Sequence, residues 1–411
     1  LMPKIIPFRA VRPTRDKVSL IASRSYDTYT KAERKARLDN NPYSFLHIVN
    51  PGYKYHKELS GQERFQLVRN RYLEFKEEGV FIEEALPAFY VYKIVNRDNE
   101  TFTGIISAAS VADYKNNYIK RHENTIQARE EVFKDYLKTT GFNAEAVLLT
   151  HPDFVPLNAI FEEVMRARAE YEFTTTYRDT HYLWPVTEER LVEKIKAIYA
   201  DMPELYIADG HHRSSSSALL SDDLDAAETP GEAHKYFMTY IIPESHLRIH
   251  SFSRMITDLC GMDKDRFLIK LDSIFKIENR GEEYIQPSKV HHFSMYLDGD
   301  FYTLELRKQY RNFTNALEGL DAQILYDLVL HPLLKIQDPR QDARLAYGKG
   351  KNDMFGAKEK VDRGTYAVAF GLFPATVQQI KDISDEGLTM PPKSTFIQPK
   401  LRSGVTIYEF L

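Results

Sequence analysis

Cysteine is almost absent from this chain of 411 residues, and the only one is Cys260. A single thiol excludes an intramolecular disulfide and every zinc site that is built from several cysteines. The chain also lacks an apolar run of the ~20 residues that a transmembrane helix needs. The stretch from Met2 to Arg9 contains no apolar segment of signal-peptide length. These absences predict a cytoplasmic protein that does not enter a membrane.

An excess of positive charge is absent as well. Lys and Arg total 55 against 59 Asp and Glu, which gives a formal net charge of -4. A protein that binds nucleic acid through its phosphates usually carries a basic surface, so nucleic acid is an unlikely partner and a small molecule is the expected one. The 24 Phe and 26 Tyr supply apolar material for a large core. The length predicts two or three domains.

Hydrophobic periodicity predicts a mixed α+β fold. Turn chemistry predicts hairpins over 88–108 and over 293–306, the second turning at Asp298-Gly299. Apolar spacing predicts helices at 61–78, 127–139, 156–170, 187–200, 264–275, 320–334 and 376–383. The polar stretch around Thr229-Pro230-Gly231 is the candidate domain boundary. We therefore expect domains at 1–228 and 229–411, with a C-terminal tail that packs back on the first domain.

The segment that carries the most chemical information runs from Leu205 to Leu220. Its apolar start predicts a short strand, Asp209-Gly210 a turn, and the residues after His211 a helix. The first turn of a helix favours an anion, and glycine lets a phosphate approach the backbone closely. Arg213 can hold phosphate oxygens with a two-pronged set of donors. The segment therefore predicts a phosphate-binding loop.

Each group in this segment has a functional and a structural interpretation. His211 and His212 can donate hydrogen bonds or transfer a proton near neutral pH, and Asp209 can bind a metal ion or orient a histidine. Alternatively, Asp209 and Arg213 pair with each other, and the histidines fill polar pockets. The serine run that begins at Ser214 either assists an anion site with its hydroxyls or forms a small-residue packing face.

Weaker candidates lie elsewhere in the chain. His122-Glu123 could transfer a proton or bind Mg²⁺, or could belong to a solvated helix cap. Lys393 and Lys400, near the C-terminus, could close over an anion, or could form a structural turn that returns to the first domain. His181 lies close to Trp184, the only tryptophan, where an aromatic wall for a base competes with core packing.

Several motifs together resemble a large bacterial family known only as domain of unknown function 1015. The first is Ala208-Asp209-Gly210-His211-His212-Arg213. The others are Pro7-Phe8-Arg9, Asn41-Pro42-Tyr43-Ser44-Phe45-Leu46-His47, Ile119-Lys120-Arg121-His122-Glu123-Asn124-Thr125, His181-Tyr182-Leu183-Trp184 and Met390-Pro391-Pro392-Lys393-Ser394-Thr395-Phe396. The resemblance covers nearly the whole chain.

More distantly, the Gly-His-His-Arg turn resembles the phosphate loop of the ParB and sulfiredoxin superfamily, which includes free-serine kinases. This resemblance implies a ParB/sulfiredoxin-like N-terminal region followed by a second mixed α+β domain. It also implies that Gly210, His212 and Arg213 contact the phosphates of ATP or ADP. With them we group Ser214 and Lys393 as further nucleotide contacts.

These observations give a first functional hypothesis, a nucleotide-dependent phosphotransferase that acts on a small hydroxyl compound such as free serine. In it, Asp209 and Glu123 hold Mg²⁺ or the attacking hydroxyl, and His122 or His211 moves the proton. The alternative is a non-enzymatic nucleotide-binding switch. A ParB-type nuclease or DNA-binding protein is disfavoured by the negative net charge. The sequence leaves a homo-oligomer open.

Overall fold

The computed structural model describes residues 3–411, apart from the side chain of Lys349. Met2 lies outside these residues. It is the first residue of the stretch from which Sequence analysis predicted that the chain has no signal peptide. The strands up to residue 247 are β1 (Ile5–Ile6), β2 (Val11–Pro13), β3 (Phe81–Glu83), β4 (Phe89–Val95), β5 (Thr101–Ser110), β6 (Ile119–Lys120), β7 (Phe142–Asn143), β8 (Val147–His151), β9 (Tyr171–Thr174), β10 (Thr180–Val186), β11 (Leu205–Asp209) and β12 (Tyr236–Pro243). The later strands are β13 (Arg248–His250), β14 (Phe252–Ile256), β15 (Phe275–Gly281), β16 (His292–Leu297), β17 (Asp300–Leu306), β18 (Leu345–Lys349), β19 (Val368–Leu372), β20 (Phe396–Gln398) and β21 (Tyr408–Glu409).

Helices alternate with these strands throughout the chain. They are α1 (Val18–Ile21), α2 (Lys31–Asn40), α3 (Leu46–Val49), α4 (Gly61–Glu77), α5 (Val111–Lys115), α6 (Gln127–Thr140), α7 (Val155–Met165), α8 (Glu189–Ala200), α9 (His211–Ala226), α10 (Lys264–Asp272), α11 (Asp321–Leu325), α12 (Asp353–Asp362) and α13 (Val377–Asp385). The predicted α+β class is confirmed, and each predicted helix overlaps an observed one. Among the described residues, no helix combines the length and the apolar character that crossing a bilayer requires.

The chain forms two compact units. Unit 1 contains the residues up to Arg121, Thr125–Leu247 and Pro399–Leu411, and unit 2 contains His122–Asn124 and Arg248–Gln398. The boundary predicted after residue 228 precedes β12, which pairs with β5 and β8 in the sheet of unit 1. The C-terminal tail belongs to unit 1, where β21 pairs with β7.

Unit 1 is organised around a mixed nine-stranded sheet. Its strands follow the order β6-β11-β8-β12-β5-β4-β10-β9, and β1 pairs with β5. The hairpin predicted over 88–108 is confirmed as β4 and β5, which are antiparallel with Val95 opposite Thr101. Apolar side chains of β4, β5, β8, β11 and β12 pack with α7, α8 and α9 in one buried core. This sheet fixes the end of β11, from which α9 departs.

Unit 2 contains a six-stranded antiparallel sheet in the order β15-β17-β16-β19-β14-β18. The predicted turn joins β16 to β17 at Asp298 and Gly299, which both adopt positive φ angles of 45° and 84°. Such a two-residue turn matches the twist of an antiparallel hairpin. The segment predicted as one helix at 320–334 is divided in the structure. Its α-helical part, α11, ends at Leu325, and a wider π-helical turn follows over Tyr326–Leu330.

Candidate functional site

The strand–turn–helix segment of unit 1 has the backbone that a phosphate loop needs. β11 ends at Asp209, Gly210 adopts φ 103° and ψ 32°, and α9 begins at His211. A side chain at position 210 would be strained by this positive φ. Its Cβ would also lie 3.1 Å from Nη2 of Arg213. Glycine is therefore required both by the backbone and by the arginine beside it. We call residues 209–213 the phosphate loop.

The N-terminal end of α9 is not capped by a side chain within the part of the chain that the structure describes. The first hydrogen bond inside the helix runs from the Ser214 amide to the Gly210 carbonyl oxygen at 3.0 Å. The amides before Ser214 consequently have no acceptor within the helix, and they give this end of a 16-residue helix a partial positive charge. An anion would be stabilised there.

Two cations flank the loop, and Asp209 pairs with both. Its Oδ2 accepts a hydrogen bond from Nζ of Lys400 at 3.0 Å and lies 3.5 Å from Nη2 of Arg213. Burial alone would raise the pKa of Asp209, but Lys400 and Arg213 outweigh it and hold that pKa below its usual value. The carboxylate is therefore ionised near neutral pH. Asp209 and Arg213 thus pair with each other, as the structural alternative in Sequence analysis described.

The loop nevertheless stays open to solvent. The side chains of Asp209, Arg213 and Lys400 are 36%, 33% and 48% exposed. Nη1 of Arg213 donates to the carbonyl oxygen of Ala146, which fixes the guanidinium next to Gly210. An arginine held on one edge and exposed on the other can bind an oxyanion without reorganising.

The histidines and serines at the start of α9 have partners within unit 1, and most of them are buried. Nε2 of His212 accepts a hydrogen bond from the Ile126 amide at 3.3 Å, and burial lowers the pKa of His212. The Ser214 hydroxyl donates to the Gly210 carbonyl oxygen at 3.1 Å. All four serines of the run are buried, as is His211. The serine run lies on a buried part of α9, which packs against α6, and the role of Ser214 as a nucleotide contact stays a prediction.

The other predicted site residues belong to unit 2. Nε2 of His122 lies 3.9 Å from Oε1 of Glu123, and the His122 carbonyl oxygen accepts from the Met390 amide at 2.8 Å. The Lys393 carbonyl oxygen accepts from Nη2 of Arg254 at 3.2 Å. The structure thus joins His122 to Glu123 in one unit, and Asp209 to Arg213 in the other. That the two groups act in one site stays a prediction.

The ligand chemistry expected for Mg²⁺ is only partly matched. Asp209 provides the ionised oxygen that this ion prefers, but Lys400 and Arg213 already approach Oδ2. Glu123 has a half-exposed carboxylate. Both carboxylates therefore fit a magnesium ligand by type, and a metal at Asp209 would have to compete with two cations.

Sequence analysis named Lys400 as a residue that could close over an anion but did not pair it with Asp209. It also missed Glu145, whose Oε2 lies 4.0 Å from Nη1 of Arg213 and whose Oε1 accepts from the Ser403 hydroxyl at 2.7 Å. These contacts join segments far apart in the chain, so no local pattern could have shown them.

The comparisons with known proteins agree with the predicted resemblance. The model of the family described as "Protein of unknown function (DUF1015)" matches residues 5–323, which include most of the motifs quoted above. No curated protein matches the sequence.

The solved structures to which the chain is similar include the following three. One is a conserved hypothetical protein from Pyrococcus furiosus, with 13% identity over 74% of this chain and 94% of that chain and a TM-score of 0.34. Another is SbnI with a C-terminal truncation from Staphylococcus aureus, with 13% identity over 73% and 85% and a TM-score of 0.39. The third is a free serine kinase in complex with AMP, with 12% identity over 75% and 91% and a TM-score of 0.34. Similarity this distant does not establish what the present chain binds.

Proposed function

Because the chain belongs to the DUF1015 family of proteins of unknown function, we propose its function from its own geometry. The phosphate loop binds the phosphates of a nucleotide, ATP or ADP. The protein then transfers the terminal phosphoryl group to a small hydroxyl compound such as free serine.

The observation that carries this proposal is the combination at the start of α9. Gly210 has a positive φ, the helix end lacks a side-chain cap among the described residues, and two cations stand beside it with their side chains partly exposed. Backbone amides at a helix N-terminus and a fixed guanidinium are the donors with which proteins bind phosphate. Each feature alone is common, but together they supply both the geometry and the charge.

Asp209 has a defined task in this proposal. In the absence of phosphate it offsets one of the two positive charges of Lys400 and Arg213, which would otherwise repel each other more strongly. An arriving phosphate takes over these cations and releases the carboxylate. Asp209 can then hold Mg²⁺ or orient the hydroxyl that attacks.

The chemical step needs few covalent partners. The substrate oxygen forms a bond to the terminal phosphorus, the bond from that phosphorus to the bridging oxygen breaks, and the hydroxyl proton passes to a base. Catalysis of this reaction depends chiefly on positioning and on charge stabilisation. We assign the proton transfer to His211 or His122 and a supporting role with Mg²⁺ to Glu123, and we keep His212, Ser214 and Lys393 as nucleotide contacts.

Incubation of the protein with ATP or ADP, Mg²⁺ and a panel of hydroxylated metabolites tests the proposal. A phosphorylated product is expected from the unchanged protein. No product is expected from Arg213→Ala, and Arg190→Ala is the matched control, since Arg190 is an exposed arginine of α8 that pairs with Glu163. Nucleotide should also raise the Tm of the unchanged protein and of the control, but not that of Arg213→Ala.

Two results would decide against parts of this assignment. A rise in Tm with nucleotide but no product from any metabolite would favour the non-enzymatic switch. An equal rise in Tm for Arg213→Ala and for the unchanged protein would remove the phosphate loop from the binding site.

A further inference from the structure

Three arginines of unit 1 converge on the ring of Tyr177, in the turn between β9 and β10. The guanidinium carbons of Arg24, Arg402 and Arg37 lie 4.7, 5.1 and 5.7 Å from the centroid of that ring. These arginines come from the segment after α1, from the C-terminal tail and from α2. We call Arg24, Arg37 and Arg402 the arginine cluster.

Each arginine of the cluster donates to a hydroxyl of the same turn. Arg24 reaches the Tyr177 hydroxyl at 2.8 Å, Arg37 reaches Oγ1 of Thr176 at 3.2 Å, and Arg402 reaches Oγ1 of Thr175 at 3.4 Å. These bonds fix the direction of the guanidinium groups. They leave the positive charge in place, because the acceptors are neutral.

The charge of the cluster is hardly compensated. Within residues 3–411, the one ion pair that its members form joins Nη2 of Arg402 to Oδ2 of Asp179 at 3.9 Å, close to the limit for such a pair. The side chain of Arg402 is only 8% exposed. Burial, and to a smaller degree the charge of Arg24, lower the pKa of Arg402. Arg24 and Arg37 are only half-buried, but three cations gathered on one tyrosine, with the weak Arg402–Asp179 pair between them, repel one another, which costs stability unless an anion joins them.

One ring nitrogen of a buried histidine next to the cluster also lacks a hydrogen-bond partner among the described residues. His181 is 1% exposed, its Nδ1 is 2.8 Å from the Tyr92 hydroxyl, and its ring stacks on Phe173 at 5.0 Å. Its Nε2 has no hydrogen-bond partner in the described part of the chain. Burial, with a smaller contribution from Arg402, lowers the pKa of His181 to about 3, so the imidazole is neutral. Buried polar atoms are nearly always satisfied, and a missing ligand is one explanation for an exception.

We infer that the arginine cluster binds the anionic group of a small molecule, a carboxylate or a phosphate monoester. Guanidinium groups present forked donors that match both oxyanions, and stacking on Tyr177 keeps them apart from one another. The cluster shares no residue with the phosphate loop or with Lys400. It can therefore exist whether or not the loop binds a nucleotide.

Calorimetric titration with malonate and with inorganic phosphate, at constant ionic strength, tests the inference. Both titrations use the Arg213→Gln protein, so that phosphate bound at the loop does not mask the cluster. We expect saturable binding that Arg402→Gln or Arg24→Gln weakens at least tenfold and Arg190→Gln leaves unchanged. Tighter binding of malonate identifies a carboxylate ligand, and tighter binding of phosphate identifies a phosphate monoester.

The Tm without ligand separates a binding role from a structural one. If the cluster serves binding, its like charges destabilise the protein without ligand. Arg402→Gln should then keep or raise the Tm of the free protein and lose affinity for malonate. Arg402→Lys should retain part of the affinity, because it keeps the charge but not the fork. The inference is overturned if no saturable binding of either anion occurs, or if Arg402→Gln lowers the Tm and binds both anions as before.

Discussion

The phosphate loop and the arginine cluster are both basic sites of unit 1, yet they balance their charge differently. In the loop, Asp209 approaches both Lys400 and Arg213, within 3.5 Å. In the cluster, Arg402 alone pairs with an acid among the described residues, Asp179 at 3.9 Å, while Arg24 and Arg37 donate to neutral hydroxyls. The loop carries its own counter-charge, which we propose a ligand displaces. The cluster has no such close carboxylate among the described residues, and we infer that an external anion takes that place.

The charges of the two sites also differ in their effect on the free energy of unfolding. The pairs of the loop are partly exposed, and such pairs contribute ~1 kcal/mol or less. The cluster lies against buried groups, where an uncompensated charge is more expensive. A protein that keeps such an arrangement in its folded state gains from it only when a ligand is bound.

The largest expected effect that separates the two sites is acid destabilisation through His181. Its pKa is about 6.5 in the unfolded chain and about 3 in the folded protein. As the pH falls below 6.5, His181 is protonated in the unfolded state but stays neutral in the folded state. The free energy of unfolding therefore decreases on acidification. Between pH 6.5 and 4.5 His181 alone should contribute about 2–3 kcal/mol to the drop in the free energy of unfolding.

Urea unfolding followed by the fluorescence of Trp184, which lies in β10 of unit 1, measures this drop. His181→Gln should remove most of it, and His56→Asn, at an exposed position, should not. Malonate in the cluster should also reduce it, because a neighbouring anion favours the protonated imidazole. Identical pH dependence for His181→Gln and the unchanged protein would mean that His181 is not the group that titrates.

Local sequence patterns were sufficient to predict one hairpin and several helices of unit 1, and the strand–turn–helix backbone of the loop. The β4–β5 hairpin follows from alternation around a turn at Asn96–Asn99, and the helix after Gly210 from a strand that ends at a glycine. The pairing of β12 with β5 and β8 depends on contacts between distant segments, and the predicted boundary therefore preceded a strand of the same sheet.

The next effect in size tests the backbone of the loop. Gly210→Ala should lower the free energy of unfolding by about 1–2 kcal/mol, the cost of a side chain at positive φ. It should also abolish the rise in Tm caused by nucleotide, because the new Cβ lies 3.1 Å from Nη2 of Arg213 and displaces the guanidinium. Malonate binding at the arginine cluster should be unchanged.

Gly231→Ala is the matched control for this variant. Gly231 also has a positive φ, of 89°, but no atom lies within 4 Å of a Cβ built there. It should lose a similar amount of stability and keep its response to nucleotide. Equal responses of the two variants would show that the position of Arg213 does not matter for nucleotide binding.

The arginine cluster could not have been predicted from the sequence for a physical reason. Arg24, Arg37 and Arg402 are surrounded by different local patterns; only Arg37 lies on a helix, and the other two lie in connecting segments. They meet only because the C-terminal tail pairs back on unit 1, with Ser403 bridged to Ser23 and Ile407 to Val11. The phosphate loop, in contrast, is a contiguous segment whose chemistry is visible before folding.

The smallest expected effect concerns the carboxylate that distinguishes the loop from the cluster. Asp209→Asn removes the internal anion while keeping the shape, so Lys400 and Arg213 become as unbalanced as the cluster. Nucleotide without Mg²⁺ should then bind about fivefold more tightly, or ~1 kcal/mol, as expected for partly exposed pairs. Asp222→Asn makes the same change of charge on α9, at an exposed residue paired with Lys115, and should have little effect.

Added Mg²⁺ should tighten nucleotide binding in the unchanged protein and not in Asp209→Asn. Equal gains in the two asparagine variants would mean that net charge alone sets the affinity, and Asp209 would then not compete with the phosphates for its two cations.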